Sequence, residues 1–206
     1  KLIVHGASRA DAIAKMREAL NGFVIRGISS NIVFQSALLA HPKFVAGDFD
    51  TGFIAQNYPK GFSAADVPHE DPDFLIAIAA AVYRMYRERA SRISGQLPGH
   101  EVQIGEHFVA VVKADAGEYQ HVPVHIRAGK AVVVNVDEHR EYKISGNWRF
   151  ARIRGMGLCN GRPITVQAER HGMWYRVTHN GLTIETQVMS ARAAELLRKM
   201  PFKAPP

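Results

Sequence analysis

One stretch of this chain is apolar on every side, and it changes character halfway. Within residues 71–93, Phe74, Leu75, Ile76, Ala77, Ile78, Ala79, Ala80, Ala81, Val82 and Tyr83 leave no polar face, whereas the second half carries Arg84, Arg87, Glu88, Arg89 and Arg92. A helix that is apolar all round must be surrounded. The run is too short for a membrane span, which needs about 20 apolar residues. Beyond it, apolar and polar positions alternate in short pieces, the period of strands with one buried face. The expected strands are 108–113, 119–127, 131–137, 142–146, 148–154, 156–159, 162–169, 174–178 and 182–188. Merging the two pieces that flank Gly155 gives eight. Asn160-Gly161 and Asn180-Gly181 are hairpin signals, because type I′ turns need positive φ at both central residues. Residues 115–117 and 128–130 mark looser turns. So many short strands expose edges unless the sheet closes on itself. The pattern therefore predicts a closed or nearly closed antiparallel barrel, with the apolar half of the long helix as its filling.

Residues 1–60 carry a different pattern and read as α/β. Residues 1–5 and 23–28 are strand candidates. Ser8 caps a first helix with Asp11 at the capping-box position, and Ile13, Met16, Leu20 and Phe23 share a face. Ser30 or Asn31 caps a second, with Phe34, Ala37, Leu38 and Leu39 inward and Pro42 as its stop. Residues 48–58 form a short helix or a turn-rich segment. Two helices and two short strands bury little surface for an independent unit, so this part reads as the tail of a larger domain. Residues 61–70 form a linker with Pro and acidic residues. Asp71-Pro72 then starts the long helix, a capping carboxylate followed by proline at the first position. Residues 95–107 are too irregular for an element and long for a connection, as functional loops often are. Ser190 caps a last helix with Ala194, Leu197 and Met200 inward, and residues 201–206 look like the start of a linker. The first residue is Lys1, and the chain reads as a middle piece of a longer polypeptide.

Composition narrows the chemistry. The single cysteine, Cys159, leaves no internal disulfide framework and suits a reducing compartment. The net charge of +7 invites a nucleic-acid reading. However, the basic residues are spread along the chain, with a mild cluster on the long helix and around Arg149, Arg152 and Arg154, and no recognition motif accompanies them. A solvated basic surface, or a docking face for an acidic partner, is the plainer account. Ten histidines show no metal-ligand spacing; His121 and His125 share a strand face as packing or surface residues. Gly155-Met156-Gly157 has no helix after it to make a phosphate cradle. Cys159 has no helix terminus near it to activate the thiol, and no nucleophile elbow is present. Trp148 and Trp174 read as barrel packing. No group takes a catalytic, cofactor-binding or metal-ligating role. A filled barrel with a protruding loop has the profile of an assembly module.

Two stretches resemble a known family. Lys1-Leu2-Ile3-Val4-His5-Gly6, the run Ala12-Ile13-Ala14-Lys15-Met16-Arg17-Glu18-Ala19-Leu20, Arg26-Gly27-Ile28-Ser29-Ser30-Asn31 and Gly47-Asp48-Phe49-Asp50-Thr51-Gly52-Phe53-Ile54 are similar to the C-terminal end of an ATP-grasp biotin carboxylase domain. Ser145-Gly146-Asn147-Trp148 and Arg192-Ala193-Ala194-Glu195-Leu196, with the long helix, resemble the region that follows it in alpha subunits of the propionyl-CoA carboxylase family, within the biotin-dependent acyl-CoA carboxylases. That region is the biotin transfer (BT) domain, a long helix inside an eight-stranded antiparallel barrel. The fold class expected is thus α+β: residues 1–60 the carboxylase tail, 61–70 a linker, 71–200 the BT domain, and 201–206 the start of a linker to a biotin carrier domain.

The resemblance implies a two-step ligase. Biotin carboxylase uses ATP, Mg²⁺ and bicarbonate to carboxylate a tethered biotin, and a carboxyltransferase beta subunit passes the carboxyl group to propionyl-CoA, giving methylmalonyl-CoA. It implies six alpha and six beta subunits, contacts with other alpha domains and the carrier, and a bacterial cytoplasm or mitochondrial matrix, without nucleic acid or membrane as partner. Biotin, ATP and Mg²⁺ serve the whole enzyme, and none is expected on this segment. The loop between helix and first strand, the hook, is a principal beta-subunit contact and maps to residues 94–107. Leu97, Pro98, His100, Val102 and Ile104 are the partner-binding candidates, since apolar side chains exposed on a loop need a covering surface. The ATP-grasp body and the biotin-carrying Ala-Met-Lys-Met motif lie outside these 206 residues. Ala14-Lys15-Met16 imitates the latter, but its helical setting excludes Lys15, because a biotinyl lysine sits on a hairpin tip. Alternatives are a sister carboxylase for methylcrotonyl-, acetyl- or long-chain acyl-CoA, or a basic nucleic-acid-binding protein.

Overall fold

The computed structural model describes residues 1–68, 71–114, 118–137 and 139–200. The expected turn at 115–117, part of the expected linker at 61–70, and residues 201–206 lie outside the described residues. Helices α1 (Arg9–Gly22), α2 (Ile32–Ala40), α3 (Pro42–Ala46) and α4 (Phe53–Asn57) come first, followed by a short 3-10 turn at Ala64–Asp66. The long helix α5 (Pro72–Ser91) leads into strands β1 (His107–Lys113), β2 (Tyr119–Ala128), β3 (Val132–Val136) and β4 (Arg140–Gly146). Strands β5 (Arg154–Cys159), β6 (Arg162–His171), β7 (Trp174–His179) and β8 (Leu182–Met189) complete the set, and α6 (Ala191–Arg198) ends it. Each strand pairs antiparallel with the next, and β8 returns to β1, with Ala110 opposite Val188. The barrel is closed, so no sheet edge is left open.

The lumen explains the odd composition of α5. Eight strands usually enclose only enough space for their own side chains, whereas a helix with its side chains is about 10 Å across. Small residues on both sides resolve the conflict. Ala77, Ala79 and Ala80 on the helix are fully buried, as is Ala110 on the wall. Gly155 and Gly157 complete the wall. A Cβ at Gly155 would lie 2.1 Å from the Trp148 ring, and one at Gly157 would lie 2.1 Å from the Ser145 carbonyl oxygen. The Gly-Met-Gly stretch is therefore a packing device. Leu75 and Ile78, also fully buried, belong to one core cluster with Val134, Val136, Val166 and Val177 of the wall. Each such side chain contributes about 1.5–3 kcal/mol by leaving water.

Several local expectations hold at atomic detail. Asn160 and Gly161 take φ +50° and +79°, and Asn180 and Gly181 +49° and +83°, as type I′ hairpins require. Ser8 accepts from the Asp11 N–H, and the Asp11 carboxylate accepts from the Ala7 N–H at 2.8 Å. Ser190 caps α6 by accepting from the Ala193 N–H.

Other expectations are corrected. Residues 1–5 and 23–28 form no strands, because a strand needs a hydrogen-bonded neighbour and none of the described residues lies beside them as one. Phe23 falls past the end of α1 and is exposed, as is Met200 beyond α6. Eight strands form, but 148–153 is a loop rather than half of a merged strand. Its Trp148 folds down onto the core, and Ala151 sits at φ +61°. Asp71 occupies the N-cap position without a side-chain capping bond. Its carboxylate accepts from Tyr142 Oη and Arg140 Nη1, both at 2.7 Å, which ties the start of α5 to the barrel wall.

Polar bonds fasten the helical segment to the barrel. The Asn21 amide donates to Asn180 Oδ1 at 2.9 Å and accepts from the Asn180 N–H at 2.7 Å. Gln167 on β6 donates to the Asn21 carbonyl at 3.0 Å. Arg26 pairs with Glu169 and donates to Gln167 Oε1.

Candidate functional site

The loop between α5 and β1 is irregular but hydrogen-bonded along its length. It begins where α5 leaves the lumen and its apolar surround gives way to water. Gln96 organises it. Its amide nitrogen donates to the Ser91 and Ile93 carbonyls at 2.8 and 3.0 Å, closing the helix end, and its Oε1 accepts from the Val102 N–H at 2.7 Å. Between these anchors, Leu97-Pro98-Gly99-His100 makes a tight turn. The His100 N–H donates to the Leu97 carbonyl at 2.9 Å, and Gly99 has φ +80°. Proline then glycine at the central positions is what a type II turn requires. Glu101 accepts from the Gly99 N–H, and hydrogen bonds from its own and Gly99's backbone hold its carboxyl below the usual carboxylate range. At the far end, Arg84 donates to the Gly105 carbonyl at 3.0 Å while paired with Glu88 at 2.9 Å. The loop is thus held in one shape, which lowers the ordering cost of binding.

The candidate residues divide. Leu97 is 71% exposed and Val102 38%, with Pro98 and His100 also exposed. Ile104 differs: it is partly buried and packs against the core, acting as the inner root of the loop. Ile93, 64% exposed, lies just past the end of α5, where its carbonyl accepts from Gln96; sequence reasoning assigned it to the helix and missed it. Gln96 and Arg84 were missed too. Neither carries a motif, and their roles depend on where the chain turns.

Next to the loop, the open end of the barrel forms a groove of about 780 Å³. Tyr83 and Arg87 of α5, Phe108, Met173 and Leu196 line it. At the opposite end, Tyr142 and Cys159 face a smaller cleft of about 510 Å³. Burial pushes the Cys159 thiol up to about 11, with the nearby Asp71 charge adding to the effect. At neutral pH it is a protonated packing residue. Among the described residues, no group of three or more His, Cys, Asp or Glu could hold a metal ion. The glycines of the Gly-Met-Gly stretch lie in β5 against Trp148 and Ser145. That stretch is a strand and makes no phosphate cradle at a helix N-terminus. Lys15 lies on α1, where it donates to Asp11 at 2.9 Å and to the His5 carbonyl. No helix among the described residues is long and apolar enough to cross a membrane.

Comparison with known proteins agrees with this geometry. Residues 75–203 match the family described as the propionyl-coenzyme A carboxylase BT domain, and residues 1–56 match the biotin carboxylase C-terminal domain. The propionyl-CoA carboxylase alpha chain of Ruegeria pomeroyi is 33% identical over 100% of this chain and 30% of its own length. The mitochondrial propionyl-CoA carboxylase alpha chain of Mus musculus is 28% identical over 100% of this chain and 28% of its own. Biotin carboxylase 1 of Bacillus subtilis is 48% identical over 26% of this chain and 12% of its own. The chain spans about 30% of the length of the full-chain relatives it matches.

Proposed function

The chain belongs to the propionyl-coenzyme A carboxylase BT domain family, and on that premise we propose that it is part of the biotin-containing alpha chain of a propionyl-CoA carboxylase. In this reading the whole enzyme is a biotin-dependent ligase. Its carboxylase domain, of which residues 1–60 are the C-terminal part, carboxylates biotin with ATP, Mg²⁺ and bicarbonate. A beta subunit then converts propionyl-CoA to methylmalonyl-CoA. Residues 71–200 join the two catalytic parts and perform no chemistry, and residues 201–206 lead toward the carrier domain. The assembly contains six alpha and six beta subunits and works in a bacterial cytoplasm or a mitochondrial matrix.

One observation carries the assembly role: a braced loop presents Leu97 and Val102 to solvent at the end of a closed barrel. The barrel itself is filled by its own helix, so its lumen offers no room for substrate. Exposed apolar side chains on a rigid loop are the features of an interface anchor. Leu97→Asp combined with Val102→Asp in the full alpha chain is expected to abolish copurification with the beta subunit while leaving biotin carboxylation intact. Retained association would remove the loop from the interface. Assay of the intact complex against propionyl-, methylcrotonyl-, acetyl- and long-chain acyl-CoA tests the substrate, with propionyl-CoA expected to be preferred.

A further inference from the structure

The assembly role leaves unused the basic cluster around Arg149, Arg152 and Arg154, and the fold gives two of its members a common setting. Residues 148–153 lift off the barrel and, with α5 and β6, border a cleft of about 280 Å³. The Arg152 N–H donates to the Arg149 carbonyl at 3.2 Å, closing a four-residue turn. Such a turn brings its first and last residues close together. These are the two arginines, and both line the cleft. The third residue of the turn, Ala151, takes φ +61°, a conformation that favours glycine. Backbone strain of this kind collects where a fold must hold groups in place for a ligand.

The cleft has a cationic rim and an apolar floor. Arg170 on β6 completes the rim. Its Nε donates to the Gly172 carbonyl at 2.8 Å, and its guanidinium lies over the Tyr86 ring at 4.6 Å, which fixes its position. Among the described residues, Arg149, Arg152 and Arg170 form no ion pair with a carboxylate. The one carboxylate that lines the cleft, Glu169, is already bridged to Arg26 and lies beside His171. Val82, Met85, Ile153 and Ala168, all half-buried, supply the floor. Three guanidinium groups around one small space exceed what a single carboxylate balances. A phosphate carries close to two charges and several acceptor oxygens, and the planar guanidinium fork matches it.

We propose that this cleft binds a small phosphate-bearing molecule. The phosphate sits among Arg149, Arg152 and Arg170, and the apolar floor favours an organic phosphate over the free ion. The site shares no residue with the loop at 94–107, so it stands or falls apart from the alpha-chain reading.

The test is arginine footprinting of the full-length chain in its native assembly. Phenylglyoxal modifies accessible guanidinium groups, and mass spectrometry reads the extent at each position. The reaction is run alone and with ADP, pyrophosphate or inorganic phosphate. ADP is expected to lower modification of Arg149, Arg152 and Arg170 about fivefold. Arg162, exposed at the other end of the barrel, should stay unchanged. Because each arginine is read separately, a nucleotide held elsewhere in the chain does not register at these positions. Stronger protection by ADP than by inorganic phosphate identifies an organic ligand, whereas equal protection identifies the free ion. Arg149→Gln combined with Arg152→Gln should weaken the protection of Arg170 about tenfold in ligand concentration. Both side chains are exposed, so the thermal midpoint should hold. Equal modification with and without every probe would overturn the proposal. So would protection that arises from another subunit of the assembly instead of from a phosphate, or protection of Arg170 that survives the double substitution.

Discussion

The barrel and the helical segment before it solve the same problem in opposite ways. In the barrel every strand has two neighbours, and the filling comes from the same chain. Edges and the lumen-facing apolar surface are both accounted for internally. The helical segment instead gathers aromatic rings. Phe34 meets Tyr58 and Phe62, Phe44 stacks on Phe49 at 4.8 Å, and Arg9 lies over both Phe44 and Phe49. It also leaves single apolar side chains uncovered, with Ile3 and Ile28 each 74% exposed. Residues 1–5 alternate much as β3 does, yet only β3 is a strand. Alternation yields a strand where a partner edge exists, and otherwise leaves an extended, exposed segment.

The sharpest way to break this contrast is to charge the filling of the barrel. Ala79 is fully enclosed, and Ala79→Glu places a carboxylate where no cation can reach it. The cost is several kcal/mol, a large part of a typical domain's stability. The expected outcome is loss of the cooperative thermal transition and of near-ultraviolet dichroism. Ile54→Glu in the helical segment, where the side chain is 54% exposed, is expected to change stability by about 0.5 kcal/mol or less. Comparable losses from the two substitutions would end the distinction between a closed and an open region.

The same contrast decides what could be read in advance. The filled barrel was legible because two independent periods, an all-round apolar helix and a series of alternating strands, permit few arrangements together. The two Asn-Gly turns fixed their hairpins. Positions 148–153 were not legible: Trp148 and Phe150 look like strand residues, and only the bulk of the ring over Gly155 shows why this stretch lifts away. The loop was visible as an irregular gap, and its tip residues Leu97 and Val102 as apolar positions within it. Its bracing by Gln96 and Arg84 was not, because a hydrogen bond to a helix-end carbonyl leaves no periodic trace. The groove escaped for a related reason, since its walls come from α5, β1, β7 and α6, far apart in sequence.

A smaller intervention acts at the junction of the two regions. Asn21→Ala removes both side-chain bonds to the β7–β8 hairpin at Asn180. Asn21 is buried, so its loss leaves polar groups unpaired, at about 1–3 kcal/mol. Because the barrel closes without it, hydrogen exchange should quicken in α1 and α2 while protection in β1–β8 is retained. Equal loss of protection in the strands would make the two regions one cooperative unit.

Acid should act on the same junction most gently. Burial would raise the Glu169 carboxyl, but the hydrogen bond and charge of Arg26, with a lesser contribution from His171, outweigh it and hold the group below its ordinary value of 4.5. A carboxyl lowered in the folded state binds fewer protons there than in the unfolded chain. Its contribution is therefore complete above 4.5 and is lost as the pH falls through the depressed folded value. Arg26 is 43% exposed at its side chain, and solvent screening keeps the effect to about 1 kcal/mol or less. Arg26→Gln should flatten the acid side of the stability profile, measured as thermal midpoint against pH, and leave the slope above about pH 6 unchanged. If the acid slope is the same with and without Arg26, the ion pair does not hold the helical segment to the barrel, and the asparagine and glutamine bonds do so without it.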